Sequence, residues 1–287
     1  MSRWKSLGSV DAQHLVNARL QSHWAVQLAA GVGKRLLPPQ PDVSEQSFEW
    51  IEKAGLLAQG LVSGKRAFRS GLRLADLTLV LADEAGSPIK ELPLSGHTLE
   101  EAHAWLTAEV EKLLSQPLAG ALELPAAADM PAHPVGAGRR FALADPAPFA
   151  ELGRWYADAD LLLREIARAE PGASPVRCWP HHFDLATLLK VGDGKDAEST
   201  PTVGLGLSPG DGGRPAPYFY VTPWPYPKNP ELSPLAGGGT WNTEGWLGAV
   251  LDASAFLGSG GAADQEGSIR QFLHSALAAS RRLATQP

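Results

Sequence analysis

Residues from Pro117 to Pro148 interrupt the regular pattern of this chain of 287 residues. The stretch is rich in Ala, Pro and Gly, and its apolar residues keep neither the period of a helix nor that of a strand. Because such a stretch connects elements rather than forming one, we interpret it as a connector between two halves. The predicted organisation is an N-terminal half over residues 1–116, a connector over residues 117–147 and a C-terminal half over residues 148–287.

The N-terminal half is predicted to contain a helix, several strands and a second helix. An apolar stripe predicts a helix from Val10 to Leu37, and Pro38 ends it because proline cannot continue the hydrogen-bond ladder. Thr98 and Glu101 have the spacing of a capping box that opens the second helix. Short apolar runs between the helices predict strands at Phe48–Ile51, Leu56–Val62, Phe68–Leu81 and Ile89–Leu94. The apolar face changes near Ala75, which indicates a bulge or two separate strands there.

The C-terminal half repeats this plan. Helices are predicted from Pro148 to Ala169 and from about Asp264 to Leu283. The predicted strands between them are Phe183–Val191, Thr202–Leu207, Tyr218–Thr222 and Trp246–Leu251. We interpret the two similar halves as a weak structural duplication. Because elements must bury their apolar faces in layers, the class is α+β, with one or two antiparallel sheets and helices packed on a face.

Charge and composition exclude several classes of partner. The formal net charge of −6 argues against a nucleic-acid ligand, since neutralising phosphates requires a clustered excess of Lys and Arg. No stretch approaches the roughly 20 apolar residues of a membrane span. The single cysteine, Cys178, excludes an intramolecular disulfide, and residues 1–34 have no signal-peptide core. We therefore expect a cytoplasmic protein without nucleic-acid or membrane partners.

The densest group of reactive side chains is the run Arg177–Asp184, Arg-Cys-Trp-Pro-His-His-Phe-Asp. Read as a strand from Trp179, it places His182 and Asp184 on one face, whereas His181 faces the other way. A His-x-Asp pair on one face has the spacing to hold a divalent cation or to orient an imidazole as a general base. The alternative is that both histidines only make hydrogen bonds in a polar corner.

The other members of the run and the remaining histidines receive simpler interpretations. Cys178 is either a nucleophile or, as we favour, a buried structural residue, because no motif of a thiol enzyme surrounds it. The histidines outside the run are isolated on helices or connectors and are assigned no function: His14, His23, His97, His103, His133 and His274.

Two later segments supply further candidate ligand contacts. The Gly-rich stretch 204–213 lacks the pattern of a phosphate-binding loop and predicts a turn at Ser208–Asp211, on which Asp211 could contact a ligand. Tyr220 shares a strand face with Tyr218 and Thr222. Pro223, Pro225 and Pro227 stiffen the segment that presents Trp224 and Tyr226, which suits either a small-molecule pocket or the cap of an edge strand.

The loop from Gly237 to Trp246 completes the candidate site. Glu244 is the candidate third metal ligand or acid partner if this loop folds over His182. Tryptophan in loops packs beneath them or stacks on ligands. The proposed walls of the pocket are therefore Trp179, Tyr220, Trp224 and Trp246, with His181 and Asp211 as further ligand contacts.

These residues also carry a resemblance. The motifs Arg-Cys-Trp-Pro-His-His-Phe-Asp and Gly-Gly-Gly-x-Trp-x-Thr-Glu-Gly-Trp resemble those of a group of uncharacterised bacterial proteins, similar in outline to a broader bacterial family of unknown function. The resemblance covers about Pro175 to Trp246 and implies an organised pocket but no activity. It implies a histidine where this chain has Asn242, which weakens a three-ligand metal site there.

The sequence therefore predicts a polar-aromatic small-molecule pocket in the C-terminal half. The candidate catalytic residues are His182, Asp184 and Glu244, although whether the protein is an enzyme stays open. One alternative is a metal-dependent hydrolase in which His182 and Asp184 hold a divalent metal ion and activate water. The other is a protein-interaction or homodimerisation module that uses the exposed Pro and aromatic segment 223–234. Homo-oligomerisation stays open.

Overall fold

The computed structural model describes residues 4–196, 199–258 and 260–286, and its chain forms two compact units. The N-terminal unit consists of His14–Gly153 together with Cys178–Phe183. The C-terminal unit consists of the chain up to Gln13, Arg154–Arg177 and the chain from Asp184 onward. Each unit combines helices with an antiparallel sheet, which confirms the predicted α+β class.

The N-terminal unit is built on a five-stranded meander. Its helix α1 (Val16–Leu36) follows a short 3-10 helix and packs on the sheet at the third strand. The strands are β1 (Glu49–Ile51), β2 (Leu56–Ala58), β3 (Arg69–Arg73), β4 (Thr78–Ala82) and β5 (Pro88–Pro93), in the spatial order β1-β2-β3-β4-β5. Helix α2 (Leu99–Leu114) follows the sheet. The predicted connector 117–147 lies within this unit and contains two short 3-10 helices, Ala127–Asp129 and Pro134–Ala137.

Two local predictions in this unit are confirmed. The run near Ala75 is divided into two strands by a 3-10 turn, Leu74–Asp76, after which Leu77 adopts a left-handed backbone with φ of 50°. The capping box is present as well: the Glu101 amide donates to Thr98 Oγ1 at 3.1 Å, and the Thr98 amide donates to Glu101 Oε2 at 2.9 Å. These bonds satisfy two backbone donors that the first turn of α2 would otherwise leave without partners.

The C-terminal unit contains most of a six-stranded sheet. The chain enters it through α3 (Ala147–Ala169) and leaves through α4 (Ser254–Leu257) and α5 (Ala262–Ala284). Six strands follow α3: β6 (Arg177–Trp179), β7 (Asp184–Lys190), β8 (Thr202–Ser208), β9 (Tyr218–Trp224), β10 (Thr240–Asn242) and β11 (Gly248–Asp252). Their spatial order is β10-β11-β9-β8-β7-β6. The short strands β6 and β10 and the single turn of α4 were not predicted.

The two faces of this sheet differ in chemistry. One face carries the buried side chains of alternate residues, among them Leu185, Leu189, Val203, Leu205, Phe219 and Val221. Helix α5 packs on the sheet at β8, β9 and β11, and Trp155 of α3 contacts the rings of Phe219 and Phe256. The other face carries Asp184, Tyr218, Tyr220 and Asp252 on neighbouring strands. This alternation places polar and aromatic groups opposite the apolar core.

Candidate functional site

An open cleft of about 1100 Å³ lies in the C-terminal unit. Four segments line it: the N-terminal residues 8–13, the loop after β8, the loop that joins β10 to β11, and the residues that end β11 and form α4. Three sequence-predicted site residues, Asp211, Glu244 and Trp246, meet at this cleft, although Asp211 lies more than 30 positions before the other two in the chain. We call it the acidic cleft because Asp11 and Asp252 also line it.

Asp211 organises the loop after β8. Its Oδ1 accepts hydrogen bonds from the backbone amides of Gly213 and Arg214, at 2.7 and 2.8 Å, which closes the turn. Its Oδ2 accepts a hydrogen bond of 2.6 Å from the hydroxyl of Tyr218 on β9. Burial and this bond to a carboxylate raise the pKa of Tyr218, so that the phenol stays protonated and continues to donate. Asp211 therefore holds the loop against the sheet at the cleft wall.

Arg214 connects the loops that line the acidic cleft. Its Nη1 donates to Asn242 Oδ1 at 3.2 Å, and its Nε lies 3.4 Å from Asp252 Oδ1. The guanidinium carbon also lies 5.7 Å from the ring centroid of Tyr218, within the range of a cation–π contact. Arg214 thus directs its Nη1 and Nε donors toward groups of the protein, and it joins the loop after β8 to strands β10 and β11.

Asn242 shapes the loop that carries Glu244 and Trp246. Its side-chain Nδ2 donates to the carbonyls of Glu244 and Trp246, at 3.0 and 2.6 Å. The Trp246 ring lies over Gly248, where any side chain would overlap it. Because Gly248 has no side chain, the indole can lie on the strand at the cleft wall. Glu244, one of the candidate catalytic residues, is an exposed residue of the cleft lining.

The lining carries a clear excess of negative charge. Among the described residues that line the cleft, four carboxylates, those of Asp11, Asp211, Glu244 and Asp252, face one guanidinium, that of Arg214. Four negative charges less one positive charge leave an excess of three negative charges. Field lines of one sign are concentrated in a concave surface, so this excess favours cationic ligands and disfavours anionic ones.

Asp184 and Tyr220 form a separate pair on the polar face of the sheet, opposite the apolar core. The Tyr220 hydroxyl donates to Asp184 Oδ2 in a short hydrogen bond that crosses from β9 to β7. Gly206 lies between them on β8, opposite Tyr220, and a side chain at this position would collide with the Tyr220 hydroxyl. Gly206 therefore makes the bond across the intervening strand possible. Neither residue of the pair is among those that line the acidic cleft.

The predicted strand from Trp179 to Asp184 is wrong. Strand β6 ends at Trp179, residues 180–183 form a turn, and β7 begins at Asp184. The Phe183 amide donates to the Trp179 carbonyl at 2.7 Å, and Phe183 has the left-handed φ of 57° that ends the turn. Strand alternation therefore does not place His182 and Asp184 on one face. Their catalytic and metal-binding roles stay predictions that have lost this argument.

Within the N-terminal unit, His181 and His182 are exposed residues of this turn. Their rings contact each other at a centroid distance of 4.4 Å, and Trp179 meets the His181 ring edge to face at 6.2 Å. Cys178 is buried, as favoured from the sequence, and its backbone exchanges hydrogen bonds of 2.8 and 2.9 Å with Phe48. The reactive-looking run thus contains one buried thiol and two exposed imidazoles.

Sequence reasoning missed the buried histidine beneath this turn. His23 on α1 is 4% exposed, stacks on Phe183 at 5.3 Å, and its Nε2 lies 2.8 Å from the Pro180 carbonyl oxygen. Since a carbonyl only accepts, His23 carries its proton on Nε2. Burial lowers the pKa of His23 to about 4, so the imidazole is neutral near pH 7. The signal in the sequence was its place in the predicted helix Val10–Leu37, next to Trp24 of the apolar stripe.

Trp224 and Tyr226 lie outside the acidic cleft, at the end of β9. Trp224 is 44% exposed and Tyr226 is 43% exposed, and their rings meet edge to face at 5.5 Å. Leu188 on β7 is likewise 49% exposed. The predicted role of Trp224 as a pocket wall stays a prediction, because the acidic cleft does not include it.

The described residues contain no group of three or more His, Cys, Asp or Glu side chains arranged to hold a metal ion. In the same part of the chain, no helix has both the length and the apolar character of a membrane span. Comparisons of the chain with models of protein families, with curated proteins and with solved structures find no match. The functional argument therefore depends on the geometry of the cleft.

Proposed function

We propose that the acidic cleft binds a small polar molecule that carries hydrogen-bond donors, as ammonium or hydroxyl groups do. The observation that supports this proposal is the excess of three negative charges in a cavity of about 1100 Å³. A cavity of this size accommodates a small-molecule ligand. The proposal retains the predicted pocket in the C-terminal half and takes Asp211, Glu244 and Trp246 as its contacts, without assigning a reaction.

The hydrogen-bond inventory of the cleft supports a ligand that donates. The Nη1 and Nε donors of Arg214 point to Asn242 and Asp252, and the amide of Asn242 points to the carbonyls of Glu244 and Trp246. The lining thus uses these donors internally. Asp211 accepts from the protein at both carboxylate oxygens, Asp11 accepts from the Gln13 amide and Asp252 pairs with Arg214. Glu244 is an exposed carboxylate of the lining and is the main acceptor for a ligand. Because a carboxylate has about four acceptor sites, it favours a partner with N–H or O–H groups.

Trp246 adds an apolar surface to this polar lining. The indole lies on Gly248 at the cleft wall. An aromatic face attracts cations through its quadrupole and also packs against the apolar faces of small ring molecules. An ammonium-bearing ligand with some apolar surface, such as an amino sugar or a polyamine, satisfies both the carboxylates and the indole.

Titration calorimetry with four probes tests this function. Spermidine and glucosamine represent amines, glucose a neutral polyol and citrate an anion. We expect measurable binding of an amine probe and none of citrate. The variant Glu244→Gln removes one charge of the cleft and should weaken amine binding by about fivefold, since one ion pair contributes about 1 kcal/mol in water. Trp246→Leu leaves the charge of the cleft unchanged, and it should still weaken amine binding because it removes the indole.

A matched control separates the cleft from general surface charge. Glu231 is an exposed carboxylate of the same unit that does not line the cleft. Glu231→Gln changes the net charge as Glu244→Gln does, and should leave amine binding within twofold of the unaltered protein. The proposal fails if citrate binds as tightly as the amines, or if the two variants weaken binding equally.

The exposed aromatic residues favour a second candidate function. Trp224, Tyr226 and Leu188 are each more than two-fifths exposed, and apolar side chains of this size at the surface often mark interaction sites. A protein-interaction or homodimerisation role would use them. Light scattering of the unaltered protein and of Trp224→Ser tests this role. A dimer that the substitution dissociates supports homodimerisation through these residues. If both proteins are monomers, homodimerisation is excluded.

Two further predictions remain as proposals. One is a metal-dependent hydrolase that uses His182 and Asp184. The described residues contain no group of three ligands that would support it, and elemental analysis of purified protein tests it directly. A cytoplasmic location is proposed from the single cysteine, Cys178, which is buried and makes no disulfide. Fractionation of the producing cells measures that location.

A further inference from the structure

A second, smaller cleft of about 440 Å³ in the C-terminal unit carries the opposite charge. It lies where the ends of three elements meet: the residues after α3, the end of β7 and the last turn of α5. We call it the basic cleft, and its lining is Glu170, Pro171, Lys190, Val191, Arg281, Arg282 and Thr285. None of these residues lines the acidic cleft, so the two sites are separate.

Contacts within the unit build this cleft. The Lys190 amide donates to the Gly172 carbonyl at 3.4 Å, which joins the end of β7 to the turn after α3. Arg281 forms an ion pair with Glu170 through Nη2, which joins the last turn of α5 to the same turn. Arg282 donates through Nη2 to Ser233 Oγ at 3.1 Å. The cationic side chains are therefore brought together by the fold from distant parts of the chain.

The charge of the basic cleft contrasts with that of the chain. Among the described residues that line it, three cations, Lys190, Arg281 and Arg282, face the single carboxylate of Glu170, so three positive charges less one negative charge leave an excess of two. The whole chain carries a formal net charge of −6. Lys190 also lies 3.0 Å from Asp193, but the Asp193 side chain is 99% exposed, and an ion pair so exposed to water is weak.

A helix end accounts for part of this charge but not for all of it. The C-terminus of α5 carries roughly half a negative charge from the helix dipole, which favours cations in its last turn. Arg281 is in addition paired with Glu170. Glu170 and the helix dipole together offset about one and a half of the three positive charges, so a positive excess remains. It includes Lys190, which belongs to a strand, where no helix dipole explains it.

We propose that the basic cleft binds a phosphate group, carried either by a soluble phosphorylated molecule or by a lipid headgroup. Lys190 and Arg282 are the residues that would contact the phosphate oxygens. A guanidinium and an ammonium provide the charge-assisted donors that phosphate accepts most strongly. Arg281 positions the last turn of α5 through Glu170 and is left intact in the test.

Titration calorimetry with inorganic pyrophosphate tests the soluble source. The variants Lys190→Gln and Arg282→Gln each remove one charge of the cleft, and each should weaken pyrophosphate binding by about fivefold, as expected for one ion pair in water. The double variant should lose more than tenfold. Lys228→Gln is the matched control, because Lys228 is an exposed cation of the same unit outside the cleft, and it should change binding by less than twofold.

Cosedimentation with vesicles distinguishes the lipid source. Vesicles of phosphatidylcholine with phosphatidic acid are compared with vesicles of phosphatidylcholine alone. If pyrophosphate binds and Lys190→Gln and Arg282→Gln weaken that binding, the result supports a soluble ligand. If the acidic vesicles bind and the same variants weaken that binding, the result supports a lipid headgroup. The proposal is overturned if neither probe binds, if Lys228→Gln weakens binding as much as the cleft variants, or if chloride at equal ionic strength competes as well as pyrophosphate.

Discussion

The buried imidazole of His23 makes the stability of the N-terminal unit depend on pH below neutral. The Nε2–H of His23 donates to the Pro180 carbonyl, and the His23 ring stacks on Phe183. The same carbonyl also accepts from Gln27 Nε2 at 2.6 Å. Protonation would place a charge at a site that is 4% exposed and near the cation of Arg19. The unfolded chain can take up this proton freely, whereas the folded unit resists it.

The sign and size of the effect follow from the two pKa values. The pKa of His23 is about 4 in the folded protein and 6.5 without the fold. Above the unfolded pKa both states are neutral and the group has no effect on stability. As the pH falls from about 6.5 to about 4, only the unfolded state binds the proton, so the free energy of unfolding decreases. The full shift corresponds to about 3 kcal/mol, of which about 2 kcal/mol is lost by pH 5.

Urea denaturation followed by tryptophan fluorescence measures this loss. The free energy of unfolding is determined at about pH 7 and about pH 5 for the unaltered protein and for His23→Gln. Glutamine retains an N–H donor but does not titrate in this range, so His23→Gln should lose about 2 kcal/mol less between the two pH values than the unaltered protein. Comparing the two proteins cancels the carboxylates, which titrate in both.

Substitution of His14 provides the control. His14 is an exposed residue of the same unit, and His14→Gln should leave the pH dependence of stability unchanged. If His23→Gln keeps the full pH dependence, or if NMR finds the His23 pKa near 6.5 in the folded protein, the reasoning from burial is refuted. If the His23 pKa is near 4 in the folded protein but His23→Gln does not change the pH dependence of stability, the pKa of His23 must also be lowered in the unfolded state.

Three substitutions test local packing by urea denaturation. Gly206→Ala would place a methyl group 2.5 Å from the Leu185 carbonyl oxygen and 2.8 Å from the Tyr220 hydroxyl. It should therefore lower the free energy of unfolding by about 1–3 kcal/mol. An unchanged free energy would mean that the strands can move apart at no cost. Tyr220→Phe removes the bond to Asp184 and adds no volume, and it should cost about 1 kcal/mol. No change would show that water replaces the bond. Thr98→Ala removes half of the capping box and should cost about 1 kcal/mol, while equal loss in Thr98→Ser would contradict the role of the hydroxyl.

Much of the fold could be predicted because its signals are local. The stripe of α1, the capping box of α2 and the alternation of β7 depend on residues close together in the chain. Strands β6 and β10 contain three residues each and depend on partners elsewhere. A segment of three residues has too few positions to show a period, which is why both were missed.

The turn at residues 180–183 shows where local reasoning fails. Alternation of side chains predicts a shared face for His182 and Asp184 only if the backbone stays extended. Phe183 instead adopts φ of 57°, which is unfavourable for a residue with a bulky side chain. Its ring stacks on His23, and the Pro180 carbonyl accepts from the same imidazole. These contacts join residues about 160 positions apart, so no pattern within the run could predict them.

The acidic cleft shows the complementary case, in which residue chemistry was predicted but the grouping was not. Asp211, Glu244 and Trp246 were selected because polar and aromatic residues on Gly-rich loops suit ligand contacts, and the structure brings these three to one cavity. Arg214 was not selected, although it links Asn242 to Asp252 and contributes the cation among the carboxylates. Its partners lie 28 and 38 positions away, and a single arginine beside a turn has no local signature. The charge balance of the cleft, on which the proposed ligand class depends, therefore emerges only when the strands are assembled.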